Sequence, residues 1–557
     1  MKLLATIMIV FLAALAAQAQ YVFRCVDIFP NNGNASPSGY FVYQDKIFMS
    51  ARTSGFNMEL YTSNGTAAGT QMLKDLNTGI SEFSVPKDFT PCNGKLFFLA
   101  FTDATGLELW TTDGTATGTQ LVKDINPGAN GCGTDLIAIQ DWKHLIVFQN
   151  KVYFLADDGV HGQELWVSDG TTAGTTMVKD INPGTEGSYP IYLKAFNESL
   201  VFQAYDPSHG VELWVSNGTA AGTQMLKDIN PGTEHSNPGA FMAFKGKLYF
   251  NADNGVNGNE LWVSDGTVAG TQMLKDIDSG PANSGPGHYF EYKSKLYFSA
   301  GASSAQGYEL WVSDGTSAGT QLFKDINPGM DNSEPQNFVV YKDKLYFSAR
   351  GGAATGTELW VTDGTVAATA MVKDLNPGMV PSNPSGFLVH KDKLYFIITL
   401  SIFDERLAVS DGTAAGTMMI QPPTAHLEDP LFSSHLIAYH DTLYFRAFFD
   451  NAHGEELWAL SDTSATNTGI VPVLPDNFYS LYPNPGKGAF TLQMTKPASG
   501  AITLHIYDIT GRKVHTQTIA RGASNVPLAL FHLNKGVYIT KLQTDDGSVI
   551  AERLVIE

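Results

Sequence analysis

Seven glutamates in this 557-residue sequence are each followed by a lysine fifteen residues later. They are Glu59 and Lys74, Glu108 and Lys123, Glu164 and Lys179, Glu212 and Lys227, Glu260 and Lys275, Glu309 and Lys324, and Glu358 and Lys373. A carboxyl group beside an ammonium can serve as a general acid–base couple, and it can equally be a plain ion pair. Repetition favours the second, because a catalytic centre is one asymmetric constellation and not seven identical ones. In an eighth copy Arg406 replaces the acid and Gln421 the base, a joint loss that a pair predicts. Seven structural ion pairs across hairpins are therefore expected, and no catalytic residue is assigned.

The other repeated candidates also read as architecture. Asp113, Asp169, Asp265, Asp314, Asp363 and Asp411, with Asn64 and Asn217 as substitutes, each open an Asp-Gly-Thr type loop. Asp and Asn both accept a hydrogen bond from backbone two residues on and so start a turn. Calcium is the alternative reading, but each loop offers one carboxylate and lacks the D-x-D-x-D-G series. No metal or other cofactor is assigned. Residues used once are more informative. A long insertion brings Cys132, Asp135, Trp142 and His144, while His161, His209 and His453 each precede a glycine in a loop. Asp135, Trp142, His144, His161, His209 and His453 are the binding candidates, although an isolated loop histidine is usually a solvated surface residue. The sequence has no G-x-S-x-G, H-E-x-x-H or P-loop.

These residues must be held by a repeat. Phrases of the form Glu-Leu-Trp, or variants, begin at positions 59, 108, 164, 212, 260, 309, 358, 406 and 456, in steps of 48 to 50 residues except for one of 56. A segment such as FMAFKGKLYFNA (Phe241 to Ala252) precedes each phrase, and one such as TQMLKDI follows. Alternation and aromatic or branched residues mark four strands per period, and Gly, Asn, Asp and Pro cluster between them. Lys-Gly and Lys-Asp join the first two strands as tight hairpins.

The predicted fold is all-β: nine four-stranded repeats of about 48–50 residues forming a β-propeller over residues 20–474. A nine-bladed ring is favoured over an open stack or a ring with one repeat outside it. CVDIFP (Cys25 to Pro30) matches the end of a fourth strand but has no first three strands before it. It is expected to complete the last blade. Seven of the eight tryptophans sit in the phrase, as filling between neighbouring sheets that cannot bury both faces alone. Cys25, Cys92 and Cys132 can form one pair at most and read as small core residues.

The ends differ from the repeats. Residues 1–19 read as a signal peptide, with Lys2, an apolar run from Leu3 to Leu15, and Ala17-Gln18-Ala19 as the cleavage pattern. No later run is long enough for a membrane helix. The net charge of -20 argues against nucleic acid as a partner. Residues 475–557 read as a linker and a small immunoglobulin-like sandwich: Ile502, Leu504 and Ile506 alternate with polar residues, and Asp546-Gly547 marks a hairpin.

Two resemblances follow from these residues. Units reading ELWVSDGT or ELWVTDGT over about Ala51 to Asp462 resemble the ELWxxDGT-repeat family, which implies a secreted or surface protein without an assigned activity. The tail, with Tyr482-Pro483-Asn484-Pro485, Phe490, Asp508, Gly511, Gly536 and Tyr538, resembles the type A sorting domain of type IX secretion. That resemblance implies the type IX machinery as a partner, and release or surface anchoring after the domain is removed. The chain ends on Glu557 where such domains commonly end on lysine. The function expected is non-catalytic binding or adhesion, with a glycan or protein ligand on one propeller face. The alternative is a propeller enzyme acting on polysaccharide. Loops after the second and fourth strands, which vary from copy to copy, are the expected binding face.

Overall fold

The computed structural model describes residues 21–556 except 31–32, 56, 82, 134–144, 303–305, 353, 379, 402–403, 422–434, 450–452, 464–478, 483–486, 495–501, 509–512, 521–522 and 545–548. The signal-peptide reading and the boundary between residues 474 and 475 lie outside the described residues. The chain divides into two compact units, Met1–Ser461 and Asp462–Glu557. Every helix or strand element described is a strand.

In the first unit each repeat is a four-stranded antiparallel sheet taken in chain order. One repeat runs Gly239–Phe244, Lys247–Asp253, Asn259–Ser264 and Gln272–Lys275. Its tight first hairpin follows from turn chemistry. In two sister repeats the turn residues Lys293 and Ser294, and Lys342 and Asp343, have φ between 48° and 58° at both central positions. That is the twist-matched type I′ geometry. The described residues of this unit hold nine four-stranded sheets. Eight are built from consecutive strands. In the ninth, Tyr21–Val26 lies beside Glu455–Asp462, completing the sheet of Ile437–Tyr439 and Thr442–Phe448. The N-terminal strand thus takes the place that its CVDIFP sequence predicts.

First strands also neighbour one another. Ser38–Tyr43 lies beside Lys87–Cys92, and the succession continues through each repeat until Ile437–Tyr439 lies beside Ser38–Tyr43 again. The arrangement is propeller-like. Its cores lie between sheets: Trp262 and Phe250 pack with Phe196, Val201, Leu213 and Ile229 of the preceding repeat. A tryptophan buried over roughly 150–250 Å² contributes on the order of 4 kcal/mol at ~25 cal/mol per Å² before ordering costs. Cys25, Cys92 and Cys132 form no disulfide, and Cys92 and Cys132 are buried in one apolar cluster.

The second unit holds a three-stranded and a four-stranded antiparallel sheet. They share a core that includes Phe490, Leu504, Ile506, Leu528, Leu542 and Leu554.

Candidate functional site

The repeated glutamate is a structural hub, and the expected ion pair with lysine does not form. Glu260, fully buried, accepts hydrogen bonds from the N–H groups of Ile277 (2.6 Å), Asp278 (3.4 Å) and Ser284 (3.1 Å) and from the Ser284 hydroxyl (2.7 Å). The same carboxylate-to-serine bond recurs at Glu59 and Ser84, Glu164 and Ser188, Glu212 and Ser236, Glu309 and Ser333, and Glu358 and Ser382. A bulge explains the correction. The register shifts between Leu261 and Trp262, so that Lys275 pairs with Leu261 and not with Glu260. Residues directly opposite share a face while sequence neighbours point to opposite faces, so glutamate and lysine lie on opposite faces of the sheet.

The lysine instead reaches the next repeat. Lys227 donates to the Thr271 carbonyl at 2.6 Å and lies 6.0 Å from the Trp262 ring centroid. Lys123 and Lys179 do the same to Thr175 and Trp166 and to Thr223 and Trp214. Burial pushes the glutamate carboxyls above their ordinary value, to about 7 in Glu59, Glu108 and Glu212 and about 8 in Glu456, while their hydrogen bonds pull the other way.

The Asp-Gly-Thr loops are equally self-contained. Asp265 Oδ1 accepts from the N–H (2.9 Å) and hydroxyl (2.7 Å) of Thr267, and the Ser264 and Thr271 hydroxyls meet at 2.7 Å. The Thr267 hydroxyl bond holds this carboxyl below its ordinary value. Among the described residues no group of three or more His, Cys, Asp or Glu side chains is placed to hold a metal ion.

Of the single-copy candidates, Asp135, Trp142 and His144 lie outside the described residues. His161 Nδ1 pairs with Asp158 at 2.8 Å, and His209 Nδ1 with Asp206 at 2.9 Å. Each pair closes its own loop after a second strand, and the bond to aspartate raises both imidazoles above their ordinary value. His453 stands edge-on to Trp458, with centroids 6.0 Å apart. The three histidines belong to three different repeats, so the structure does not assemble them into one site.

Sequence reasoning missed another set of positions. Seven of the nine described first strands carry a bulge near their start, and the second residue often takes a left-handed backbone even without glycine: Asp88 (φ 60°), Tyr192 (57°), Ala240 (53°), His288 (53°) and Asn337 (56°). Bulges re-aim side chains, and left-handed non-glycine residues cost about 1–3 kcal/mol each. These are positions where the copies differ in chemistry. His288 is solvent-exposed yet recessed enough that burial lowers its imidazole, with Glu334 opposing. The fifth residues of the six-residue first strands face solvent and are mostly small and apolar (Val42, Pro91, Ala195, Ala243, Val340, Val389), with Glu291 as the charged exception. The signal was present in the sequence as variation just before the first-strand aromatic, but without the bulge nothing marked it.

A cavity of about 600 Å³ opens on the expected face, between the loop Thr185–Tyr189 and the second and third strands of the next repeat. Gln203 and Tyr205, two apart on one strand face, form its wall with Val211, which pairs across from Tyr205.

In the second unit Phe490 is buried in the core and Asp508 pairs with Tyr538, whose hydroxyl donates to the Asn534 carbonyl at 2.8 Å. Gly536 opens the strand Gly536–Thr544, and Tyr482 ends Tyr479–Tyr482. Pro483, Asn484, Pro485 and Gly511 lie outside the described residues. Residues 480–557 match the family of secretion-system C-terminal sorting domains. This sorting domain directs the chain through type IX secretion to the medium or the outer cell surface, and makes the secretion machinery its partner. Among the described residues no helix is long and apolar enough to cross a membrane.

No curated protein matches the chain. Solved structures similar to it include a prolyl endopeptidase (12% identity over 75% of this chain and 55% of that one, TM-score 0.37). A puromycin hydrolase is similar at 15% identity over 66% and 61%, with TM-score 0.33. The extracellular domain of a one-component system from B. thetaiotaomicron is similar at 11% identity over 94% and 80%, with TM-score 0.29. The chain spans little more than half the length of the first of these.

Proposed function

We propose that this is a non-catalytic binding or adhesion protein of the cell exterior, belonging to the ELWxxDGT-repeat type. Its repeat region acts as a nine-bladed closed propeller, and its immunoglobulin-like sorting domain is removed at export. The observation that carries the reading is where the repeated chemistry goes. Glutamate, lysine, tryptophan and the turn aspartate are all engaged by neighbouring backbone or by the next repeat. What differs between copies is exposed on the loops after second and fourth strands and at the first-strand bulges. A scaffold repeated for stability, with variation gathered on one face, suits recognition.

The acidic surface and the amide and hydroxyl side chains of that face favour hydroxyl-bearing or cationic ligands over anionic ones. Incubating the exported protein with a glycan array and with surface proteins of neighbouring cells tests the reading. Saturable binding without change to the bound partner is expected. New reducing ends or unsaturated sugars released from a polysaccharide would overturn it in favour of an enzyme.

A further inference from the structure

We infer that the cavity beside Tyr189 and Tyr205 is a subsite for a neutral oligosaccharide; the inference rests on the surface-binding reading above and names its ligand class. The walls supply the parts such a ligand uses. Tyr205 and Tyr189 offer two aromatic surfaces for the C–H faces of pyranose rings, and Tyr189 is 52% exposed. The Gln203 amide can donate to one hydroxyl and accept from another, and Glu186 accepts from further hydroxyls. Val211 adds an apolar contact to the wall. The volume falls within the ~300–1,000 Å³ of small-ligand sites. No lysine or arginine lines the cavity. A uronic or sulfated sugar would bring a negative charge against Glu186 without a partner, so acidic saccharides are disfavoured.

Two further observations point to use rather than accident. The left-handed backbone of Tyr189 (φ 50°) is set by the repeat, since Val85, Asn237, Glu334 and Asn383 at the corresponding places have φ between 43° and 47°; what differs is the side chain. The corresponding places after the glutamate-bonded serine hold Val85, Asn237, Gly285, Glu334 and Asn383, so a tyrosine here is particular to this repeat. The site is also held stiffly from behind. Ser188 donates to Glu164 at 2.6 Å, the Tyr189 N–H to the Gln163 carbonyl at 3.0 Å, and the Tyr205 N–H to the Ser188 carbonyl at 2.8 Å. The His235 ring lies against Tyr205, with centroids 6.1 Å apart. Both tyrosines are thus presented on one rigid frame, which lowers the ordering cost of binding.

The test uses the exported protein against immobilised neutral gluco-, xylo- and manno-oligosaccharides, with oligogalacturonate and a quaternary ammonium as controls. Binding of at least one neutral oligosaccharide is expected, falling at least tenfold in Tyr205→Ala and Tyr189→Ala. Tyr189→Gly should lose binding while its melting temperature stays level or rises, because glycine relieves the left-handed strain; a merely structural tyrosine would not give that split. A neutral saccharide that binds equally well to all three variants would overturn the subsite while leaving the surface-binding reading intact. Binding of only the oligogalacturonate or the ammonium would overturn the ligand class. No saccharide binding alongside saturable binding to a surface protein would overturn this inference alone, and the absence of every interaction would remove both.

Discussion

Glu456 and Ile28, 428 positions apart in the chain, are joined by a hydrogen bond of 2.8 Å from the Ile28 N–H to the glutamate carboxylate. Phe29 donates to the other oxygen at 3.1 Å. These are the contacts that Glu260 makes with Ile277 and Asp278 inside a single repeat, here made between the two ends of the repeat region. Cutting residues 21–30 from the exported chain is therefore expected to expose the last repeat to limited proteolysis first. Glu456→Ala, which strands the buried Ile28 N–H and the half-buried Phe29 N–H, should cost about 1–3 kcal/mol. Denaturant unfolding followed by tryptophan fluorescence measures it.

The hub geometry predicts which residues couple energetically. In a double-mutant cycle Glu260→Ala and Ser284→Ala should be non-additive by about 0.5–3 kcal/mol, since they share a buried hydrogen bond of 2.7 Å. Glu260→Ala and Lys275→Ala should be additive within about 0.5 kcal/mol, because their side chains lie on opposite faces of the sheet. Coupling of the second pair would restore the ion pair that the fifteen-residue spacing suggests.

Stability should fall as pH rises from mildly acidic to alkaline. Burial raises the glutamate carboxyls above 4.5, to about 7 in Glu59, Glu108 and Glu212 and about 8 in Glu456. The folded state then holds protons that the unfolded chain releases. This contribution is complete below 4.5 and is lost as pH climbs through 7 to 8. The turn aspartates Asp113, Asp265, Asp314 and Asp363 act oppositely, because bonds from threonine hold them below 3.8 and their contribution is lost on further acidification. Melting temperature against pH should therefore peak near about pH 4–5 and decline toward pH 8.5. Glu456→Gln should flatten the alkaline part of that decline.

Binding should follow the variable loops. Exchanging Ser279–Asn283 with Pro328–Asn332 keeps the glutamate-bonded serines Ser284 and Ser333 in place. The exchange is expected to move the melting temperature by less than about 2 °C, since surface changes away from such contacts are worth about 0.5 kcal/mol. Ligand affinity, read by surface plasmon resonance, should change. Retention of binding after such exchanges, with loss on altering the Asp-Gly-Thr loops of a still-folded protein, would place the ligand on the other face.

Removing residues 480–557, which match the sorting domain, should trap the protein inside the outer membrane. Fractionation and immunoblotting of cells and medium would show it, and appearance of the truncated chain outside would contradict the assignment.

Much of this protein was legible from its residues because the determining forces are local. Alternation along FMAFKGKLYFNA fixes which side chains face a core, Lys-Gly and Lys-Asp fix a type I′ hairpin, and Asp265 bonds its own Thr267. Even the position of Tyr21–Val26 in the last sheet could be read, because CVDIFP copies the local pattern of a fourth strand. Only the tertiary structure decided what the glutamates and lysines do. A spacing of fifteen is the same with or without a bulge, yet one residue of slip puts a side chain on the opposite face. It also decided which side chains share the cavity. Tyr189, Gln203 and Tyr205 are separated in sequence, and they line one cavity because a loop of one repeat is hydrogen-bonded onto the second strand of the next, a contact that no local pattern encodes.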